Sequence, residues 1–189
     1  MTRIVAGTAG GRTLAVPPRG TRPTSERVRE AIFSRLDHYD VVQGAVVLDL
    51  FAGSGALGLE AASRGAAAVT LVDTARGAVE VCRRNVESLG VSGVRVVTDR
   101  AERFVATLPL VPWDLVFIDP PYDLPEVAVD GLLAALAEPG AVADGAVVVV
   151  ERSKRSTPPT LPVGWETLAH KDYGETSVWY VGPELDEPA

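Results

Sequence analysis

The chain reads as an α/β domain. It should hold a seven-stranded, mostly parallel sheet with an antiparallel C-terminal hairpin, preceded by a small N-terminal β-hairpin. Three observations lead there. From residue 45 onward, short apolar runs alternate with segments of helical periodicity. Those runs are apolar throughout, as expected of strands buried on both faces. After residue 164 the rhythm breaks, and two strand-like segments flank a tight turn.

The elements follow in order. Residues 3–22 are rich in Gly, Pro and Arg. Residues 4–6 and 12–16, separated by Gly10-Gly11, read as a hairpin that Pro17-Pro18 ends. Arg22-Pro23-Thr24-Ser25 starts a helix, with Thr24 or Ser25 as its cap and Glu26 at its positive end. Val28, Ile32 and Leu36, with Phe33 beside them, form its apolar stripe. Arg27 and Arg29 should project away from that stripe. Strands are expected over 45–50, 69–72, 94–97, 113–118 and 146–150. Helices are expected over 57–64, 76–89, 101–108 and 126–137. Pro158, Pro159 and Pro162 argue against a helix between the fifth strand and the terminal hairpin, 165–170 and 177–181. The division is an arm (1–22), a main domain (23–182) and an acidic tail (183–189).

Composition sets bounds. With 189 residues, 47% hydrophobic and 23% charged, the chain can bury a full core. One cysteine, Cys82, forbids an intrachain disulfide and suggests a reducing compartment. No run is long enough to span a bilayer, so the expected setting is the cytoplasm, and a monomer is expected. Two isolated histidines at no ligand spacing predict no metal. The net charge of −7 is unevenly spread: residues 1–30 hold six arginines and two acids, or +4, leaving −11 on the rest. A basic arm on an acidic body can still grip phosphates, through Arg3, Arg12, Arg19, Arg22 and Arg27. A solvated arginine-rich face fits the same charges.

Gly53-Ser54-Gly55-Ala56-Leu57-Gly58 matches G-x-G-x-x-G between a strand and a helix. Gly53 permits the turn, Gly55 lets a ligand reach the backbone, and Gly58 lets helix and strand pack closely. Asp73, twenty residues after Gly53 and followed by Thr74, is placed to accept from ribose hydroxyls. Asp49 decides among nucleotide cofactors. A carboxylate just before Phe51-Ala52-Gly53 repels a pyrophosphate and suits the ammonium of a methionine moiety, which favours S-adenosylmethionine. Asp99 and Arg100 fall where its adenine would lie, although Asp99 could simply cap the following helix.

Asp119-Pro120-Pro121-Tyr122 ends the fourth strand. A ring amine is a poor nucleophile because its lone pair is delocalised. Two acceptors gripping its hydrogens, the Asp119 carboxylate and the Pro120 carbonyl, would turn the nitrogen toward sp³ and aim that pair. Pro120 and Pro121 hold the acceptors rigid, and Tyr122 can stack on an extruded base.

The tetrapeptide after a hydrophobic strand resembles the signature of amino-group S-adenosylmethionine methyltransferases. Arg22 to Phe33, Ile4-Val5-Ala6-Gly7, Gly10-Gly11-Arg12 and Leu48 to Glu60 are similar to the corresponding segments of the bacterial 16S rRNA guanine-N2 methyltransferase family, from residue 3 to about 181. The resemblance implies a Rossmann-like methyltransferase fold and action on guanine 966 of small-subunit rRNA, on an assembled or assembling 30S particle. It makes 119–122 the target-base site, and Asp49, Gly53, Gly55 and Asp73 the cofactor site. The residues alone leave other substrates open: a base in DNA, or a protein glutamine amide, whose enzymes usually carry asparagine at the Asp119 position. An NAD-dependent oxidoreductase is disfavoured by Asp49 and by Asp-Pro-Pro-Tyr. A non-catalytic RNA-binding module is disfavoured because every group the chemistry needs is present.

Overall fold

The most apolar strands form the centre of an open sheet. The computed structural model describes residues 2–18 and 24–185. After a short antiparallel pair, β1 (Thr2–Arg3) and β2 (Thr13–Leu14), come α1 (Glu26–His38), β3 (Val46–Leu50), α2 (Ala56–Ser63), β4 (Ala68–Asp73), α3 (Arg76–Leu89) and β5 (Val94–Thr98). There follow α4 (Ala101–Val105), β6 (Trp113–Ile118), α5 (Glu126–Leu136), β7 (Val142–Ser153), β8 (Trp165–Tyr173) and β9 (Thr176–Pro183). The main sheet runs β5-β4-β3-β6-β7-β9-β8. It is parallel through β7 and antiparallel across β9 and β8. This is the expected seven-stranded sheet with its terminal hairpin.

Side-chain alternation divides the core into two layers. Along β6, Leu115 and Phe117 face a layer that includes Ile4, Phe33, Leu59 and Cys82. Val116 and Ile118 face the opposite layer, built on Leu132, Leu133 and Leu136 of α5. Trp113 packs against Phe104 in that second layer with ring centres 6.3 Å apart, so it is packing, as its strand position suggests. Among the described residues no helix is long and apolar enough to cross a membrane.

Two expectations need correction. The fifth strand of the main sheet is longer than 146–150, because β9 keeps pairing with it as far as Ser153. Arg152 therefore lies inside a strand and is buried. It donates to the Leu124 carbonyl at 2.8 Å and pairs with Glu126 at 3.2 Å. Lys154 and Arg155 do lie beyond the strand, each 3.8 Å from an acid, Asp172 and Glu175.

The second correction is Arg29. It does not project away from α1 but is fully buried beside Glu60 of α2, which is equally buried. Glu60 accepts from the Val5 and Ala6 amides at 2.8 and 3.0 Å and from Arg64 Nε at 2.9 Å. Arg29 also donates to the Arg3 carbonyl. The helical pattern alone could not reveal this, because the arm covers that face of α1 and turns a solvent position into an interior one.

Removing one partner of a buried pair strands the other charge, at about 3–5 kcal/mol. Glu60→Ala should lose stability on that scale in urea unfolding and loosen residues 3–9 in hydrogen exchange. A loss below about 1 kcal/mol would contradict this role.

Candidate active site

The strand order reverses between β3 and β6, so the loops leaving their C-terminal ends part and open a crevice. β3 pairs Leu50 with Ile118 of β6, which brings Phe51 and Asp119 to the same rim. The cavity there has a volume of about 330 Å³. One wall is the turn from Asp49 through Ser54, and the other is Asp119 to Tyr122. Thr24 and Glu151 complete it from the start of α1 and from β7.

The turn is held from several sides. Phe51 has a left-handed backbone, φ 60°, a costly conformation for an aromatic residue. The Gly53 amide donates to Asp73 Oδ2 at 2.9 Å. The Gly53 carbonyl accepts from Cys82 at 3.2 Å, and the Ser54 carbonyl accepts from Asn85 at 2.9 Å. Asn85 also exchanges two hydrogen bonds with Ala15, which ties the arm to the same turn. Cys82 is thus a core residue, and burial pushes its thiol up to about 12.

Two glycines of the motif pack against β4. A Cβ on Gly58 would lie 2.3 Å from Leu71 Cδ2, so close helix–strand packing is its role, as expected. A Cβ on Gly55 would meet the same leucine at 2.9 Å, and its φ is 80°. Gly55 therefore serves packing and a left-handed turn, beside the backbone access for a ligand that its place in the motif predicts.

Asp49 is buried, and its Oδ2 accepts from the Gly58 amide at 2.9 Å. Burial pushes its carboxyl up to about 8 despite that bond, with the Asp119 and Asp73 charges adding to the rise. Asp73 takes a second amide, from Ala75 at 2.9 Å, and lies with Thr74 at the end of β4. Asp99 and Arg100 follow β5 along the same edge of the sheet. Asp99 accepts from the Arg100 amide at 2.8 Å and lies 3.7 Å from Arg103, but Arg100 holds the cap position of α4 and no side chain caps that helix, so Asp99 is not its cap. Asp73, Thr74, Asp99 and Arg100 lie outside the cavity's wall, beyond the turn.

On the other wall, Pro120 is buried while Pro121 and Tyr122 are exposed. Tyr122 is 55% accessible at the rim, free for a ring to stack on it. The Leu124 amide closes the loop on the Pro121 carbonyl at 3.0 Å. Thr24 and Glu151 were missed by the sequence reading. Ser25 is the cap of α1, accepting from Val28 at 3.2 Å, which releases the Thr24 hydroxyl to the cavity. Glu151 carried a readable signal: like Asp49 and Asp119, it is an acid at the end of an apolar run.

The arginines are dispersed. Arg3 pairs with Glu26 at 3.2 Å. Arg12 donates to the Leu89 carbonyl at 3.0 Å and to that of Ser88, capping the end of α3. Arg27 is exposed. Arg19, Arg22 and most of the acidic tail lie outside the described residues.

The family model described as Conserved hypothetical protein 95 matches residues 2–182. A relative named ribosomal RNA small subunit methyltransferase D, from Escherichia coli, is 38% identical over 93% of this chain and 86% of its own length. A Haemophilus influenzae relative of the same name is 34% identical over 93% and 90%. A solved Escherichia coli structure, named as a candidate methyltransferase, yhhF, is 37% identical with a TM-score of 0.85. It covers 98% of this chain and 99% of that one. The fold is that of S-adenosylmethionine-dependent methyltransferases, and S-adenosylmethionine is the cofactor. The cavity suits it: a buried carboxylate with a single amide partner answers an ammonium group, and the turn leaves backbone facing the same space.

A carboxyl raised on folding favours the unfolded state once the unfolded group ionises. Stability from Asp49 is therefore intact below about pH 4 and lost as pH rises toward about 8. Without cofactor, Asp49→Asn should match the wild type near pH 4 and exceed it near pH 8 by about 1 kcal/mol or more, read by thermal melting. Its affinity for S-adenosylmethionine should fall about tenfold or more in calorimetry. Equal melting at both pH values would remove the argument from burial.

Proposed function

This chain belongs to the Conserved hypothetical protein 95 family, and we propose that it moves the methyl group of S-adenosylmethionine to the exocyclic N2 of guanine 966 in the 16S rRNA of the small ribosomal subunit. One observation carries the reading: the cofactor turn and the Asp119 tetrapeptide open onto a single cavity. The names of the relatives support small-subunit rRNA as the substrate. The guanine and its position follow from the family resemblance of residues 22–33 and 48–60.

The cofactor supplies an electrophilic methyl on a sulfonium. The chain's residues make the amine able to take it. Asp119 accepts one amine hydrogen and the Pro120 carbonyl the other, so the nitrogen lone pair points away from both, along the line of attack. Tyr122 stacks on the base drawn out of the rRNA. With the cofactor bound, the new nitrogen–carbon bond would form as the carbon–sulfur bond breaks, its electrons remaining on sulfur. The amine then sheds its proton to Asp119 or to water. Asp49 anchors the amino-acid end of the cofactor, Phe51 to Gly55 shape its middle, and Asp73, Thr74, Asp99 and Arg100 receive the ribose and adenine.

Residues 1–22 form the docking arm on a methyltransferase domain of residues 23–182, acting as a monomer in the cytoplasm. Arg3, Arg12, Arg19, Arg22 and Arg27 meet rRNA phosphates. Arg27 is the clearest of these, being exposed at the start of α1 near the cavity's Thr24 wall.

Labelled S-adenosylmethionine should deliver its methyl to 30S particles lacking the modification, in preference to duplex DNA or a protein extract. Label confined to DNA or protein would refute the substrate. Asp119→Ala should bind cofactor like the wild type and lose at least about a hundredfold in transfer rate. Full activity in that variant would refute the mechanism. Arg27→Ala should weaken rRNA binding and lower the slope of log affinity against log salt by about one. An unchanged slope would take Arg27 out of the interface.

A further inference from the structure

Thr24, at the back of the cavity, touches two acids. Its Oγ1 lies 2.9 Å from Asp119 Oδ2 and 2.9 Å from Glu151 Oε2. A hydroxyl has one proton and can donate to only one carboxylate. The other carboxyl, at the same distance, must then donate to the hydroxyl oxygen. The three groups are hydrogen-bonded throughout only when the two acids share one proton. With both ionised, one carboxylate oxygen would face a hydroxyl lone pair inside the protein.

Burial decides where the proton resides. Glu151 is 6% accessible and Thr24 8%, whereas Asp119 is half-buried and faces the open cavity. The geometry points to Glu151 as a positioning residue: it holds a proton and, through the Thr24 hydroxyl, keeps Asp119 ionised with Oδ2 fixed and Oδ1 left for the substrate amine. This rests on the reading of Asp119 as the amine's acceptor.

The surroundings agree. Burial raises both carboxyls, and the Asp119 charge raises that of Glu151 further. Asp119 at the end of β6 and Thr24 before α1 face Glu151 directly. Asp49 of β3 and Asp123, in the loop after β6, share the cavity. β9 sets Val178, which has no charge, opposite Glu151. The next residue, Arg152, is turned toward Glu126 and the Leu124 carbonyl. During transfer the amine's proton goes to Asp119 and then to water, while Glu151 keeps its own.

The test is the pH dependence of kcat on 30S particles lacking the modification. Wild-type kcat should fall on the alkaline side as Glu151 ionises, while KM for the particle stays level. Glu151→Gln keeps a donor toward Thr24 but cannot ionise, so that alkaline fall should vanish. Superimposable profiles for the two proteins would overturn the proposal. Should Glu151→Gln not fold, Thr24 decides: Thr24→Ser should keep the wild-type profile, and Thr24→Val should lose about tenfold in kcat at unchanged KM. Equal behaviour of those two variants would equally overturn it.

A substrate-free measurement separates this inference from the identity of the substrate. With glutamates labelled at the carboxyl carbon, one NMR signal should remain in its protonated position at pH 7 and disappear in Glu151→Gln. If every glutamate carboxyl has titrated by pH 6, the proposal fails whatever the particle assay gives. A wild type inactive on 30S particles would refute the substrate alone.

Discussion

The Glu60 carboxylate, fully buried in α2, gathers the Val5 and Ala6 amides, Arg29 of α1 and Arg64 of its own helix. Two walls of the cavity depend on that meeting. α1 is locked against α2 through Arg29, which places the residue ahead of its cap, Thr24, between Asp119 and Glu151. α2 itself begins at the end of the cofactor turn, so the helix that buries Glu60 also carries Gly55 and Gly58. A buried ion pair need not add stability over a well-packed apolar pair. Here it fixes which face of α1 turns inward, and an apolar substitute would not select the two amides of the arm.

The cavity is unusually rich in acid. Asp49, Asp119 and Glu151 all lie on its wall, and burial raises all three carboxyls. Their arrangement opposes a pyrophosphate and favours cationic or donor-bearing ligands. The methionine ammonium, the sulfonium and a ring amine are groups of that kind. On the proposed function, the negative body and the basic arm serve different partners: the one would face the cofactor and the base edge, the other the phosphates of a polyanion.

Much of this was legible beforehand because it is local. The strand-to-helix rhythm, the glycine turn and the strand-ending acids are each written in consecutive residues. The order of the sheet follows from short parallel connections and one antiparallel hairpin. What escaped the sequence depended on distant partners. Arg29 sits at a solvent position of α1 by periodicity, and only the arm's return across that helix buries it. Thr24 and Ser25 were equal as caps until Asp119, 95 residues away, took the threonine. Arg152 changed from loop to strand because β9 pairs farther along β7 than apolarity indicates. The packing role of Gly55 depends on Leu71 of β4, sixteen residues on, and no local pattern shows it.

The central claim is that cofactor and target base meet in the single crevice between β3 and β6. A crystal structure with S-adenosylhomocysteine tests it most directly. The account predicts the ammonium at Asp49, the ribose toward Asp73, the adenine toward Asp99, and the sulfur opening onto Asp119 and Pro120. A ligand seated elsewhere, or with its sulfur turned away from Asp119, would contradict it.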